Sequence, residues 1–401
     1  MELADVDLVN PDRYVDGIPH DALAVLRRES PVHRHAEPDG PGFWAVTRHA
    51  DVVHVSKNPE LFSSAAMGTS LFDVPETEMI WLRSLLINMD PPQHHKFRRL
   101  IQKRFTPRRI QGMEPRIRER TREIVEGLVR KGEGDFVTEV AAELPLQVIA
   151  ELIGIRQSER RRIFDLTNRL IGTTDPEFGS TPEDGRQAAA EMWVFANELA
   201  TARRESPCDD LVSALIQADV DGEHLSDTEF NSFFLLLAVA GNETTRNLIS
   251  GGLLALLEHP DQLERLRRDR SLLPRAVEEL LRWVTPVIHF RRTATADTDL
   301  GGQRIRAGDK VVMFYPSANR DEEVFDASQR FDVGREKNPH LAFGVGQHFC
   351  LGASLARMEI ALIFEELLRI APEIELAGPV RRLRSNFISG IKSMPVRIGE
   401  G

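Results

Sequence analysis

The stretch from Ser226 to His259 constrains the fold of this chain more than any other. It opens with SDTE, which predicts a helix N-cap at Ser226 paired with Glu229, and then runs apolar through FFLLLAVAG and LISGGLLALLEHP. Hydrophobic residues lie on nearly all sides of its middle, and a helix with that pattern is normally buried. The sequence therefore predicts one long central helix with other elements packed around it.

Several other segments repeat apolar residues at three- and four-residue steps. We predict helices over 21–29, 93–104, 113–130, 145–154, 158–171, 184–205, 274–283 and 351–370. Strand patterns are sparse, and they fall near Gly42, in RTATADTDLGGQRI, in KVVMFY and in the C-terminal NFISGIKSMPVRI. Because no repeat or low-complexity linker divides the chain, residues 1–401 are predicted to form a single, mainly α domain with a helical bundle and small β-sheets.

Composition excludes several classes of function. The 401 residues carry a formal net charge of −11, which argues against a general nucleic-acid binder. No run of about 20 uncharged apolar residues occurs, and the acidic N-terminus has no apolar core, so neither a membrane anchor nor a secretory signal is predicted. With only two cysteines, Cys208 and Cys350, we expect a cytoplasmic protein that uses no disulfide framework.

The segment HLAFGVGQHFCLG carries the most legible chemistry. Cys350 stands just before a predicted helix, where backbone N–H groups and the helix dipole favour thiolate over thiol, and thiolate is the form that binds iron. We expect Gly344, Gly346 and Gly352 to leave room for a flat macrocycle close to the backbone. Phe343 is expected to screen the sulfur from water.

The run FGVGQHFCLG resembles the haem-binding signature of the cytochrome P-450 family. The resemblance implies a P-450-type fold, haem b (iron protoporphyrin IX) and Cys350 as the axial thiolate, which in this family promotes O–O cleavage. A buried cysteine in a glycine-rich turn is the alternative for any isolated cysteine, and it is the interpretation that we adopt for Cys208.

The sequence AGNETT in the long helix resembles the oxygen-activation motif of the same family. Ala240 and Gly241 would leave room for a diatomic ligand, and the Thr244 hydroxyl can bond a turn carbonyl or bound oxygen. The resemblance gives Thr244 and Glu243 the catalytic work of organising water and delivering protons. Many members have Asp in the acid position, so Glu243 is a departure.

Two further sets of residues match family positions. Glu279 and Arg282 stand three apart on one helical face and resemble the structural Glu-x-x-Arg, with Arg330 expected as the third member of a buried network. The haem propionates need cationic or N–H partners. The candidates are His94, Arg98, Arg292 and His348.

Family analogy also places a substrate pocket between residues 63–87, the long helix and two later turns. Its expected lining is apolar, which favours a lipophilic substrate, and includes Val239, Ile288, Phe387 and Ile388 beside Ala240. The details NPHLAFG, SANRD and NFISGI resemble an actinobacterial group that hydroxylates sterol side chains, branched lipids and terpenoids.

The implied reaction inserts one atom of O2 into an unactivated C–H bond and releases the other as water. Because no Gly-x-Gly-x-x-Gly dinucleotide motif is present, electrons are expected from a ferredoxin and its reductase, with NAD(P)H as their source. The basic segment 94–109 inside an acidic protein is a candidate docking surface for the ferredoxin.

Other functions stay open at this stage. The same scaffold could tailor a polyketide or another secondary metabolite, or run a peroxide-driven or isomerase reaction. A hydrolase using Cys350 with His348 or His340 is disfavoured, because residues so close to a helix start seldom align as nucleophile and base. A haem carrier or sensor would leave the oxygen-activation motif unexplained.

Overall fold

The computed structural model of the chain describes residues 2–177, 181–220, 223–371 and 373–399. The α-helices are α1 (His20–Glu29), α2 (His49–Lys57), α3 (Glu76–Leu82), α4 (Gln93–Gln102), α5 (Pro107–Lys131), α6 (Glu143–Ile153), α7 (Arg160–Ile171), α8 (Pro182–Glu205), α9 (Leu211–Ile216), α10 (Asp227–Glu258), α11 (Pro260–Arg268), α12 (Leu273–Val284), α13 (Tyr315–Ala318) and α14 (Ala353–Ile370). The mainly α prediction is confirmed.

The β-strands are short and form small sheets. They are β1 (Val32–His35), β2 (Phe43–Val46), β3 (Phe62–Ser63), β4 (Glu133–Asp135), β5 (Asp219–Val220), β6 (Glu223–His224), β7 (His289–Ala294), β8 (Thr298–Leu300), β9 (Gln303–Ile305), β10 (Lys310–Phe314), β11 (Ile374–Leu376), β12 (Arg381–Arg382), β13 (Ile391–Ser393) and β14 (Pro395–Ile398). The largest sheet has five strands in the order β1-β2-β10-β7-β3, and its β2–β10 pair is parallel.

Helix α10 is the predicted central helix. Ser226 caps it, because its hydroxyl accepts from the backbone N–H of Glu229 at 3.3 Å while the Glu229 carboxylate accepts from the backbone N–H of Ser226 at 2.8 Å. Its first half packs with α4, α8 and α9 around Phe233, and its second half packs with α5, α12 and α14 around Leu253. One helix therefore runs through both helical cores and fixes their relative position.

The strands β7 and β10 place two adjacent arginines on opposite sides of one sheet. They are antiparallel, with Val311 opposite Arg292 and Val312 opposite Arg291. Because side chains alternate along a strand, Arg292 shares a face with Val311, and Arg291 shares the other face with Val312. Both guanidinium groups are buried, so each needs its own partner.

The described ranges contain no helix that combines the length and the apolar character of a membrane span, and α10 is no exception.

A buried ion network ties α12 to the chain that precedes the cysteine loop. Glu279 and Arg282 are fully buried, and the Glu279 carboxylate accepts from Arg282 Nη2 at 2.7 Å and Nε at 2.8 Å. Arg335 Nε donates to the same carboxylate at 3.0 Å, and the backbone N–H of Asp332 donates at 2.8 Å. Together with the Asn338 amide, which donates at 3.2 Å, two guanidinium groups and one backbone N–H thus satisfy a single buried carboxylate.

The prediction that Arg330 is the third member of this network is wrong. The Arg330 side chain is exposed, and only its backbone carbonyl takes part, by accepting from Arg282 Nη2 at 3.0 Å. The cationic side chain comes instead from Arg335, five residues later, because the turn at 326–335 directs that residue inward.

We expect Arg335→Ala to lower the free energy of unfolding by about 3 to 5 kcal/mol, because it leaves the buried Glu279 carboxylate short of a cationic donor. The matched control is Arg330→Ala, which should change it by no more than about 0.5 kcal/mol. Denaturant unfolding of the haem-loaded protein measures both, and equal losses in the two variants would contradict the assignment.

Candidate active site

Cys350 lies at the end of a loop whose backbone is folded back on itself. The backbone N–H of Cys350 donates to the carbonyl of Phe343 at 2.9 Å, and Gly344 and Gly346 adopt positive φ values of 68° and 77°. A Cβ on Gly346 would lie 2.7 Å from the carbonyl oxygen of Ser56. That glycine therefore lets the loop pack against α2, whereas we had expected it to make room for a macrocycle.

The other two predicted loop residues also have defined surroundings. Gly352 is the N-cap residue of α14, and no described protein atom lies within 4 Å of where its Cβ would be, so protein packing alone does not require glycine there. The Phe343 ring lies beneath the Arg357 guanidinium, 4.6 Å from its carbon, and contacts the edge of Phe349. Phe343 thus covers the loop on the side of α14.

The surroundings of the Cys350 sulfur shift its pKa in opposite directions. Burial raises the pKa of the thiol, and the backbone N–H of Gly352 and the charges of Arg98 and Arg357 offset that rise only in part. The expected stabilisation by the helix start is present but too weak. A cation bound directly to the sulfur would complete it, because coordination deprotonates a thiol outright.

The four predicted propionate partners meet in one cluster. The rings of His94 and His348 lie 4.4 Å apart, and the guanidinium groups of Arg98 and Arg292 are both near enough to lower the pKa of each ring. Burial is the largest cause in each case, and it brings the pKa of His94 to about 4. Neither ring nitrogen of His94 has a hydrogen-bond partner, whereas His348 Nε2 lies 3.2 Å from the Ser64 hydroxyl.

Arg292 is a buried cation without a carboxylate. Its Nη1 donates to the carbonyl of Arg291 at 2.8 Å, and among the described residues Arg292 forms no ion pair. Burial lowers the pKa of Arg292, which the more distant Tyr315 and Asp90 only partly oppose. A buried guanidinium beside two unpartnered imidazole nitrogens fits an anionic group such as the propionates of a haem.

The fourth candidate, Arg98, is partly committed to the protein. Its Nη1 and Nη2 donate to the carbonyls of Gln347 at 3.3 Å and Phe349 at 2.7 Å. Since a guanidinium has five N–H donors, three remain for another acceptor. Arg98 therefore holds α4 against the cysteine loop in any case.

The middle of helix α10 has a solvent-accessible face at Ala240 and Thr244, and we call the space beside it the opening. Ala240 is exposed and Thr244 is partly exposed, although most of the residues around them on this helix are buried. The Thr244 hydroxyl donates to the carbonyl of Ala240 at 2.7 Å. The exposed face thus presents a methyl group and a hydroxyl to the same space.

Gly241 and Glu243 lie on other faces of α10. A Cβ on Gly241 would meet Ile149 Cδ1 at 2.7 Å, so this glycine lets α6 pack closely, and the expectation that it makes room for a ligand is wrong. The buried Glu243 carboxylate pairs with Arg246, whose Nη1 donates to Asn168 at 2.8 Å. Burial raises the pKa of Glu243 even though Arg246 opposes the rise.

The expected pocket residues divide into two groups. Val239 and Phe387 are partly exposed, and Ile388 is buried at a bridge to Val287. Ile288 is fully buried in a cluster with Phe43 and Phe314 on the side of the N-terminal segment, so its pocket assignment is wrong. The alternation of side chains along β7 and β10 would have predicted which way the Ile288 side chain points, but only with the pairing register of the two strands known.

Three arginines of the site were not predicted from the sequence: Arg246, Arg335 and Arg357. Each neutralises or covers a group that was predicted: Glu243, Glu279 and Phe343 respectively. The pairing of Arg246 with Glu243 could have been predicted, because Arg246 stands three residues after Glu243 on a helix that is predicted to be buried. Arg335 carries no such local signal.

Comparison with known proteins agrees with this geometry. Residues 46–370 match the family model described as Cytochrome P450. The steroid C26-monooxygenase of Rhodococcus jostii is 44% identical over 97% of this chain and 84% of its own length. The methyl-branched lipid omega-hydroxylase of Mycobacterium tuberculosis is 41% identical over 99% of this chain and 95% of its own.

A solved structure extends the match to three dimensions. A Mycobacterium marinum cytochrome P450 in complex with pseudoionone is 43% identical and superposes with a TM-score of 0.89 over 94% of each chain. The family uses haem with a cysteine thiolate as axial ligand. The chain belongs to the cytochrome P450 family and is a haem-dependent monooxygenase.

Proposed function

We propose that this protein hydroxylates an unactivated C–H bond of a lipophilic small molecule, with steroids, methyl-branched lipids and terpenoids as the favoured substrates. The observation that carries the proposal is the opening at Ala240 and Thr244 in a helix whose middle is mostly buried. Relatives support the proposal. The steroid C26-monooxygenase, the linalool 8-monooxygenase and the methyl-branched lipid omega-hydroxylase are each 41–44% identical to this chain over nearly its whole length.

The residues that would hold the haem belong to separate elements. Cys350 would supply the axial thiolate, and His94, Arg292, His348 and the spare donors of Arg98 would bind the propionates. The bound haem supplies oxygen activation, which no amino-acid side chain can provide. The chain contributes the ligand, the charge balance and the exclusion of water.

Thr244 and Glu243 of α10 would hold and transfer the protons that the reaction needs. In the structure the Thr244 hydroxyl donates to Ala240, and it can turn to bond a water or ligand in the opening. Glu243 would take up a proton more readily than an exposed carboxylate, because burial raises its pKa and its Oε1 has no partner among the described residues. Rotation of Glu243 away from Arg246 would carry that proton towards Thr244.

An apolar lining would select the substrate by burial of its surface. Val239 and Phe387, which are partly exposed, bring no charge to the pocket, and neither does the buried Ile388 that follows Phe387. Binding by apolar area favours substrates with a large hydrocarbon body, and it leaves the attacked carbon to be set by the shape of the pocket.

A ferredoxin would dock on the surface formed by α4 and the cysteine loop. Arg98 joins the two, and Arg99, Lys103 and the apolar Phe349 are exposed nearby. The basic segment is smaller than its sequence suggests, because Arg104 and Arg109 both pair with Asp209. The remaining positive charge would attract an acidic partner.

The test of the proposed function uses a panel of steroids, methyl-branched lipids and linalool. We expect oxygen-dependent hydroxylation of at least one member with ferredoxin, its reductase and NAD(P)H. Thr244→Ala should lower the product formed per NAD(P)H consumed by about tenfold or more, because the hydroxyl that positions protons is lost. Product analysis and NAD(P)H oxidation measure both quantities.

Thr244→Ser is the matched control, since it keeps the hydroxyl and should keep most of the coupling. Turnover that required peroxide and was indifferent to ferredoxin would contradict the proposal. So would an equal loss in both Thr244 variants.

We expect Arg99→Glu to reduce the rate of electron transfer from ferredoxin, and the loss should shrink as salt is added because salt screens the attraction. The same charge change at Arg161, exposed on α7, serves as control. Stopped-flow reduction at several ionic strengths measures the effect, and a larger loss for Arg161→Glu would remove α4 from the docking surface.

A further inference from the structure

Hydrogen bonds link the start and the end of the segment 64–88, which precedes α4. At its start the backbone N–H of Ser64 donates to the Asp90 carboxylate at 2.8 Å. Inside it, Asn88 Oδ1 accepts from the backbone N–H and the hydroxyl of Thr69, at 3.1 and 2.8 Å. These bonds give the segment a shape of its own, which we call the covering segment.

One side of the covering segment rests on the helices next to the opening. Trp81, Leu82 and Ile87 pack in the same cluster as Leu235 and Val239, which precede Ala240 on α10. The Trp81 ring also meets Trp193 of α8 edge to face, with 6.0 Å between ring centres. These contacts are apolar and give the segment little directional restraint.

The other side is held by charge. Asp73 Oδ1 lies 2.6 Å from Arg291 Nη1, and Asp73 Oδ2 lies 2.9 Å from Lys310 Nζ. Both cations are only 2% exposed, on adjacent strands of the five-stranded sheet. Lys310 Nζ also lies 2.7 Å from Glu37, which is 4% exposed, so two cations meet two carboxylates.

Asp73 is the one member of this cluster that belongs to the covering segment. Its side chain is 41% exposed, so it reaches the buried pair from outside. Without it, Lys310 would keep Glu37 but Arg291 would keep no carboxylate among the described residues, and Arg291 Nε already lacks a partner there. Buried cations left in that state would be costly, so the cluster binds Asp73 strongly.

The charge of Asp73 is present at neutral pH. Its partial burial opposes ionisation, but hydrogen bonds from Lys310 and Arg291 outweigh that effect and lower its pKa. A backbone bond from the N–H of Arg291 to the carbonyl of Thr69, at 2.9 Å, supports the same docking. The sheet therefore grips the segment at two points, four residues apart.

We propose that Asp73 is a positioning residue: its ion pairs with Arg291 and Lys310 fix the covering segment over the opening and set how tightly a substrate is enclosed there. That a substrate binds in the opening rests on the proposed function, whereas the anchoring of the segment does not. A loosened segment admits water, so electrons are diverted from hydroxylation to peroxide.

The test compares Asp73→Asn with Glu76→Gln in the haem-loaded protein. Glu76 lies in the same segment and pairs with Arg83 at 2.6 Å, but both side chains are well exposed, so its loss should matter little. Hydrogen exchange read by mass spectrometry should be about tenfold faster over residues 64–88 in Asp73→Asn and unchanged in Glu76→Gln. Exchange over α10 and α14 should stay as in the parent.

The functional readouts use the panel member that the parent hydroxylates best. Asp73→Asn should raise the Kd measured by the spin-state shift and raise the peroxide formed per electron, while Asp73→Glu should restore part of both. Exchange equal to that of Glu76→Gln would overturn the anchoring. Faster exchange with unchanged Kd and peroxide yield would overturn the positioning role. If the parent hydroxylates nothing, the proposed function fails, and the exchange comparison still decides the anchoring.

Discussion

The state of the Cys350 sulfur governs the rest of the site. Burial favours the neutral thiol, and the helix start with two nearby arginines does not reverse that preference. Arg292 is a buried cation that pairs with no carboxylate of the described residues. A single group would stabilise both the Cys350 thiolate and the buried Arg292 guanidinium if it brought a metal cation to the sulfur and carboxylates to the guanidinium. A haem has both, so the two imbalances that the protein leaves are complementary to the cofactor of its family.

The fold supports this arrangement with two adjacent acids on α12. Glu279 binds the chain that precedes the cysteine loop, through Arg282 and Arg335. Its neighbour Glu278 binds Arg357 of α14 at 2.6 Å and His340 at 3.0 Å. Burial opposes the ionisation of Glu278, but those two partners outweigh it and hold its pKa at about 2. The start and end of the loop are thus tied to one helix, which fixes where the sulfur lies.

The sequence predicted elements better than it predicted side-chain directions. Long amphipathic helices were placed within a few residues, because their period spans many turns. Helix α5 begins at Pro107, earlier than the predicted 113, since its first turns bury little besides Ile110. Short helices such as α2 and α3 were missed because one or two turns carry too little pattern. Gly241, Ile288 and Arg330 failed for a different reason: each depends on which neighbour a face meets, and that is decided by tertiary packing.

The central claim is that the Cys350 sulfur is the axial ligand of a haem iron. The most direct measurement is the absorption spectrum of the reduced, carbon-monoxide-bound protein for Cys350→Ser beside Cys208→Ser. The second variant removes Cys208, which is exposed and not buried as its sequence predicts. The account predicts that Cys208→Ser keeps the thiolate-type spectrum and Cys350→Ser loses it together with monooxygenase turnover. A Cys350→Ser protein that retained haem, the thiolate-type spectrum and turnover would contradict the account.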